Sequence, residues 1–438
     1  MKSINVGLLG CGTVGTGVVR LLMDNQDIIR ARLGAELNLK CAADTDVSRK
    51  MAIPLTDDQF TTDAGQIIKD PQIDIIVESI GGEGIAKEFI LEALTQKKHV
   101  VTANKALIAK HGKTIFSAAA ESGVDLAMEA SCGGCMPVIK VLRESLAGNH
   151  VQSMTGILNG TCNYILTQIT ERGQTYEEAL KEAQLEGFAE ADPVADVEGF
   201  DSAHKLAILS CLAYGIEIDF EDLYIEGITG ITPMDIQFAD EFDYRIKLLA
   251  IGKNHGDTVE ARVHPTMIPK SNILSSVVGA LNAVTISGDA VGDILLYGKG
   301  AGMMPTASAV VSDLVDIARN MLQNGQPRIP LLSFQSDKIT KVPVKPISDI
   351  YTQYYFRFAA VDQPGVLSKI AGVLGANGIS IKSVQQKGRK TKGAVPIVML
   401  THLACEAGVR KAFREISDLD VVMSNPTLIR IEDENNEE

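Results

Sequence analysis

The sequence predicts an α/β chain organised in three parts, and three observations predict it. Strand-like and helix-like segments alternate through residues 1–133, the mark of a parallel sheet with helices on its faces. Residues 134–322 mix helices with strands joined by glycine-containing turns, which predicts a mixed α+β unit. Beyond a linker-like stretch rich in proline and polar residues at 323–349, residues 350–431 run strand, helix, strand, strand, helix, strand, the split ferredoxin-like order.

In the first part, 4–9 reads as a buried strand, 14–23 as a helix, 36–43 and 73–78 as strands, 85–95 as a helix, 99–102 as a strand, 113–122 as a helix and 124–129 as a strand. In the second, Pro137 opens a helix and 151–158 begins a strand-rich region. Thr175 and Glu178 form a capping box for a helix that stops at Gly187, and further strands are expected at 245–251, 259–263, 283–287 and 294–297. A helix from Thr306 to about 322 closes this part. The third part carries a strand at 354–361, a turn Asp362-Gln-Pro-Gly365, a helix at 366–377, strands at 379–386 and 395–402, a helix at 407–416 and a last strand from 421. Residues 432–438 are acidic and read as a disordered tail.

With 438 residues, 45% of them hydrophobic, and a mean hydropathy of +0.11, each part can bury a core of its own. The net charge of −14, from 41 basic and 55 acidic residues, argues against a nucleic-acid or anionic-membrane partner, since either calls for a basic face. The chain opens almost directly on a strand, without room for a leader, and no apolar stretch approaches the ~20 residues of a membrane span. The cytoplasm is therefore the expected compartment. Seven cysteines, an odd number without an export signal, read as reduced thiols. Cys132-Gly-Gly-Cys135 has the spacing of half a zinc site or of a redox pair, yet no second pair follows it.

Gly10-Cys-Gly12-Thr13-Val14-Gly15 stands after a buried strand and at the start of a helix, where a dinucleotide fingerprint has to stand. Glycines there permit a tight turn and let a pyrophosphate approach the N–H groups of the helix N-terminus. This makes the first part a Rossmann-like dinucleotide-binding domain. Asp44, at the end of the second strand, is placed to bind the adenosine ribose and tilts the expected cofactor to NAD. Arg49 and Lys50 lie close enough to keep a 2′-phosphate clamp, and hence NADP, open. Ser79 follows the strand at 73–78, and Thr102-Ala-Asn-Lys105 follows the strand at 99–102, both at the carboxyl end of the sheet where open α/β folds bind ligands.

The densest run of charge is Glu190, Asp192, Asp196, Glu198 and Asp201, followed by Lys205 one helical turn after Asp201. On a 3.6-residue period Asp201 and Lys205 share a face, so the carboxylate can hold an ammonium that acts as a proton donor. Taken alone, the run reads first as a solvated acidic loop with a surface ion pair, since charge runs are usually just solvated; the other motifs of the chain favour the site. Asn159-Gly160-Thr161 ends a strand and starts a helix, either a plain cap or a set of donors for a substrate carboxylate or carbonyl. Gly298-Lys-Gly-Ala-Gly302 is a glycine-rich loop ahead of the next helix, a ligand cover or a flexible connection.

Together these segments resemble homoserine dehydrogenase in its stand-alone form with a C-terminal ACT domain. The resemblance covers almost the whole chain. It is most specific in Gly-Ile-Leu-Asn-Gly-Thr-Cys-Asn-Tyr (156–164), Glu190-Ala-Asp-Pro, Asp201-Ser-Ala-His-Lys205, and the series Asn282-Ala-Val, Gly-Asp-Ala-Val-Gly (288–292), Gly-Lys-Gly-Ala-Gly (298–302) and Pro-Thr-Ala-Ser-Ala-Val (305–310). The resemblance implies NAD(P)-dependent interconversion of L-homoserine and L-aspartate 4-semialdehyde. It implies Lys205 as proton donor, Lys105 beside the nicotinamide and the substrate, and Asp201 orienting Lys205. Glu190 and Asp196 would receive the substrate's α-ammonium, Thr161 would add a contact, and the cofactor would lie along Gly10, Gly12, Thr13, Val14, Gly15, Asp44, Ser79, Lys105 and Gly302. A monovalent cation, sodium or potassium, would sit between Glu129 and main-chain oxygens of Cys132, Gly134 and Met136. The resemblance also implies an ACT module that binds L-threonine near Asp362, Gly365, Asn377 and Ile379, in a homodimer or homotetramer.

Two other readings compete. A phosphorylating semialdehyde dehydrogenase needs a nucleophilic cysteine and a histidine base, for which Cys162 and His204 can be nominated. A non-catalytic amino-acid sensor would keep both ligand-binding folds and tolerate loss of Asp201 and Lys205.

Overall fold

The computed structural model describes residues 2–323, 328–387, 393–424 and 426–433. Ser3–Leu9, Glu36–Ala43, Phe60–Thr61, Ile75–Glu78, His99–Thr102 and Leu126–Ala127 form a parallel sheet in the spatial order third, second, first, fourth, fifth, sixth. The order reverses between Ser3–Leu9 and Ile75–Glu78, which opens a crevice at their carboxyl ends. Ile75–Glu78 is buried throughout, as expected of a strand covered on both faces. Some bounds differ from expectation. The strand expected at 73–78 begins at Ile75, and the one at 124–129 is limited to Leu126–Ala127 because Glu129–Ser131 turns into a 3-10 helix. The helix expected at 113–122 starts already at Lys105, where the Asn104 side chain caps it by accepting from Leu107 N at 3.2 Å.

In the second unit, Gly292–Lys299, Leu281–Gly288, Val151–Ile157, Tyr244–Asn254 and Val259–Pro269 lie side by side in that order. Tyr244–Asn254 and Val259–Pro269 are longer than the spacing predicts, 11 residues each, because the sheet buries them along nearly their whole length. The short helix after Pro137, Val138–Lys140, passes into a π-helical turn at Val141–Ser145. Phe200–Tyr214 packs between Tyr244–Asn254 and the helix Lys105–Ser122 of the first unit, Gly160–Arg172 packs on Tyr244–Asn254 and Leu281–Gly288, and Thr175 and Glu178 form the expected capping box of Tyr176–Leu185. Met303–Leu322 crosses back to the first unit. Its Ala307, Val310 and Leu314 share a core with Val18, Val19 and Leu22 of Thr13–Asp24, so by packing this helix belongs with the nucleotide-binding sheet.

The third unit has the expected βαββαβ order, with Tyr351–Val361 and Ala394–Thr401 flanked by Thr427–Ile431 and Ile381–Gln386. It is not a separate body on a free tether. Thr427–Ile431 pairs in parallel with Val259–Pro269 through Thr266 and Met267, fusing both units into one 11-stranded sheet. The last strand begins at Thr427 rather than at 421, and the acidic end is ordered through Asp433, contrary to expectation. Glu432 accepts from Arg262 Nη2 at 2.7 Å and from Lys253 Nζ at 2.8 Å, and Asp433 accepts from the Tyr244 hydroxyl at 2.8 Å. The reason is Arg262, whose side chain is 3% exposed and needs a counter-charge at close range. Residues 434–438 lie outside the described residues. The stretch after Met303–Leu322 is docked too: Thr340–Lys341 pairs with Ile216–Glu217, and Val342 and Val344 pack on the central core. No helix among the described residues is long and apolar enough to cross a membrane.

Candidate active site

At the crevice, Gly10 takes φ +95°, a conformation a side chain strains against, and a Cβ on Gly15 would collide with the Gly10 carbonyl. No side chain caps the helix Thr13–Asp24, so the N–H groups of its first turn face the crevice unclaimed by a cap. These features fit a dinucleotide pyrophosphate. Ser79 Oγ donates to Gly10 O at 2.8 Å and braces the turn from the neighbouring strand. Asp44 is largely committed to the protein: it accepts from Cys11 N at 2.7 Å and Asp46 N at 2.9 Å, and Arg49 Nη1 lies 3.1 Å from it. Arg49 itself is half exposed and lies over Gly12.

Asp201 is in the first turn of Phe200–Tyr214, where the helix dipole favours a carboxylate. Its Oδ2 accepts from Lys205 Nζ at 2.7 Å and from Asn159 Nδ2 at 2.9 Å, while its Oδ1 lies 2.9 Å from Lys105 Nζ. Burial drives the Asp201 carboxyl up, but Lys205 and then Lys105 outweigh it and hold it below the usual carboxylate range. Asp201 in turn raises Lys105, against the opposing pull of burial. Lys105 comes from the nucleotide-binding unit and Asp201 from the second, so this ion pair spans the crevice. Lys205 is buried, and its other fixed bond is to Leu158 O at 2.6 Å. That leaves one of its three N–H bonds without an acceptor among the described residues.

Around this pair lie the other acids. Asp196 accepts from Asn159 Nδ2 at 2.7 Å, and burial followed by the charge of Asp201 raises its carboxyl. Thr161 Oγ1 lies 2.6 Å from Phe188 O and 3.1 Å from Asp196 Oδ2. Glu190 is exposed, and its carboxylate has no partner among the described residues. Asp192 only caps the turn at Val194 N, and Glu198 accepts from Thr229 Oγ1. A buried ammonium with a spare donor, beside carboxylates that can take a cation and next to a dinucleotide crevice, can protonate an oxygen as a hydride reaches the adjoining carbon.

Residues 10–129 match the NAD binding domain of homoserine dehydrogenase, 137–315 match homoserine dehydrogenase and 354–421 match the ACT domain. The chain is 44% identical over 436 residues to a homoserine dehydrogenase of Pseudomonas aeruginosa and 43% identical over 432 residues to one of Neisseria gonorrhoeae, with 99% of both chains covered in each case. It superimposes on the crystal structure of a homoserine dehydrogenase from Thiobacillus denitrificans with a TM-score of 0.94 at 45% identity, covering 99% of each. The chain belongs to the homoserine dehydrogenase family.

In this homoserine dehydrogenase fold, Glu129 is buried, accepting from Ile139 N and Lys140 N at 2.9 Å each. Burial, with Asp313 adding to it, pushes its carboxyl up to about 8. A buried carboxylate so disfavoured suits a cation beside it. Met136 O already accepts from Val138 N at 2.8 Å, with a lone pair left. The two thiols nearby diverge: Cys132 Sγ points to Lys205 O and Cys135 Sγ to Lys299 O. Cys162 is fully buried with Sγ 3.1 Å from Asp196 O, and burial followed by the Asp196 charge raises its thiol well above the usual range, the opposite of what a nucleophile needs. His204 stacks on Phe220 at 4.4 Å and is not its base. In the ACT unit, Asp362 and Gly365 lie at one end of Val366–Ala376 and Asn377 and Ile379 at the other; 11 helical residues span about 16 Å, so one chain does not bring them together. Asn159-Gly160-Thr161 reads from sequence as a cap or as substrate donors; the structure adds that the Asn159 amide joins Asp196 to Asp201, a link that the motif does not announce.

Proposed function

We propose that the chain catalyses the NAD(P)-dependent interconversion of L-homoserine and L-aspartate 4-semialdehyde, in the biosynthesis of threonine, methionine and isoleucine. The observation that carries this reading is the Lys205 ammonium, buried and held by Asp201 and Leu158 O with one N–H to spare. The nicotinamide supplies the hydride when the aldehyde is reduced. Lys205 delivers the proton to the aldehyde oxygen, and Asp201 keeps the ammonium aimed. Lys105 adds positive charge at the mouth of the same site, while Glu190, Asp196 and Thr161 hold the amino-acid end. Replacing Lys205 with alanine abolishes the change in nicotinamide absorbance with homoserine while cofactor binding, read by fluorescence, survives. A dead Cys162→Ala variant beside an active Lys205→Ala variant would favour the phosphorylating reading, and folded protein with no turnover of homoserine would favour the sensor.

The finer points are proposals of the same kind. Arg49 neutralises Asp44 and is exposed, which supports use of both cofactors; initial rates with NAD and NADP decide it. Glu129 and the main-chain oxygens of Cys132, Gly134 and Met136 would hold sodium or potassium. L-Threonine would bind between ACT units of two copies, since the Gly365 turn and the Asn377 turn lie far apart within one, and this supports a homodimer or homotetramer. Native mass and initial rates with and without threonine test both.

A further inference from the structure

Asn282, in the strand Leu281–Gly288, is fully buried at 0% exposure. Its Nδ2 donates to Leu158 O at 2.8 Å, and that same carbonyl accepts from Lys205 Nζ at 2.6 Å. Its Oδ1 has no hydrogen-bond partner among the described residues. The surroundings are shaped to the amide. A Cβ on Gly300 would collide with the Asn282 side chain, and one on Gly160 would lie 3.5 Å from its Oδ1. The loop carrying Gly300 is held from its other side, where Cys135 N donates to Lys299 O at 3.2 Å and a Cβ on Gly134 would lie 2.5 Å from the Gly300 carbonyl carbon.

An amide placed in this way does little for the fold. An unpaired buried acceptor costs about 1–3 kcal/mol, and Leu158 O would keep Lys205 as its donor if the amide were absent. What the amide does alone is fix the direction of the Leu158 carbonyl. That carbonyl and Asp201 are the two acceptors that set where the third N–H of Lys205 points.

We propose that Asn282 is a positioning residue for proton transfer at Lys205, acting through the Leu158 carbonyl. This rests on the reaction proposed above. As the hydride reaches the aldehyde carbon, the proton leaves Lys205 Nζ for the oxygen. The neutral amine keeps its two remaining N–H bonds on Asp201 and Leu158 O until solvent reprotonates it. With the carbonyl held by Lys205 alone, its direction is no longer fixed from outside the pair, and the ammonium loses its aim while the binding groups for substrate and cofactor stay in place.

The test compares the wild-type chain with Asn282→Ala and with Asn282→Asp, which keeps the shape and replaces the donor with an oxygen. Both variants are expected to bind reduced cofactor as the wild type does and to leave KM for homoserine within about twofold, while kcat falls by about tenfold to a hundredfold. The solvent deuterium isotope effect on kcat should rise, because the proton step becomes slower. An unchanged kcat, or a raised KM with kcat intact, overturns the proposal. A crystal structure of Asn282→Ala gives a readout independent of the reaction: the Leu158 carbonyl is expected to turn and carry Lys205 Nζ with it, and an unmoved Lys205 refutes the positioning role. If the wild type does not turn over homoserine at all, the proposed reaction fails, and the variant's structure still decides the role of Asn282.

Discussion

Asp201 and Glu129 are both buried carboxyls, and their surroundings push them in opposite directions. Two ammonium groups hold Asp201 ionised. Burial, and after it the charge of Asp313, outweigh the backbone donors and Lys140 at Glu129, so its carboxyl is raised from 4.5 to about 8. Between those values the folded chain keeps a proton that the unfolded chain has released, so Glu129 makes stability fall as pH rises through that window. A cation beside the carboxylate would cancel this slope. In buffer whose only cation is a bulky organic one, Tm should therefore decline from pH 5 to 8. Added potassium or sodium should raise Tm more at the alkaline end, and Glu129→Gln should remove the cation effect and flatten the decline above pH 6, leaving below it the share of Asp313, whose carboxyl is raised to about 6. A Tm indifferent to small cations at every pH would count against the cation site.

At the scale of elements, the site depends on two helix starts. Phe200–Tyr214 places Asp201 and Lys205 one turn apart, and Lys105–Ser122 presents Lys105 at a positive helix end that Asp201 compensates. Strand pairing matters equally at the junction with the ACT unit. Two residue pairs join Val259–Pro269 to Thr427–Ile431, and the ion pairs beside them add to the packing of Tyr355, Leu400, Ile429 and Ile431 in the central core. Glu432→Ala would leave Arg262 with Glu260 as its remaining acidic partner and should destabilise the chain by about 3 kcal/mol in denaturant unfolding. A change below about 0.5 kcal/mol, as at an ordinary surface position, would show that the acidic end is not anchored in solution.

At the scale of the molecule, the continuous sheet gives the ACT unit a physical route to the site. Arg430 donates to Glu226 Oε2 at 3.0 Å and to the Tyr224 hydroxyl at 3.1 Å, and Arg410 donates to the same hydroxyl at 2.6 Å. Two residues on, Ile228 N donates to Val197 O at 2.8 Å, next to Asp196. If threonine biases two arrangements of the ACT unit, this segment is where the bias meets the acidic loop. Glu226→Gln should keep the basal rate within about twofold and weaken inhibition by threonine by about fivefold or more. Unaltered inhibition would place the coupling elsewhere.

How much of this was legible follows from the range of each interaction. Periodicity located most strands and helices, the glycine fingerprint marked the crevice, and Asp201 with Lys205 could be paired because four residues on a helix fix their distance. Glu432 was misread, since a short acidic end has the composition of a disordered tail and its counter-ion Arg262 is 170 residues away. Asn282 had no visible role, because its bond to Leu158 O spans 124 residues and depends on strand order.

The sequence by itself determined the local elements, the fingerprint, the acidic run with its lysine and the membership of a family. Only the tertiary structure decided that Lys105 meets Asp201, that Leu158 O is shared by Lys205 and Asn282, and that two sheets become one. The physical reason is that local pattern encodes dihedral preference and which face is buried, whereas a hydrogen bond or ion pair between distant segments exists only once packing has fixed their distance to a fraction of an ångström.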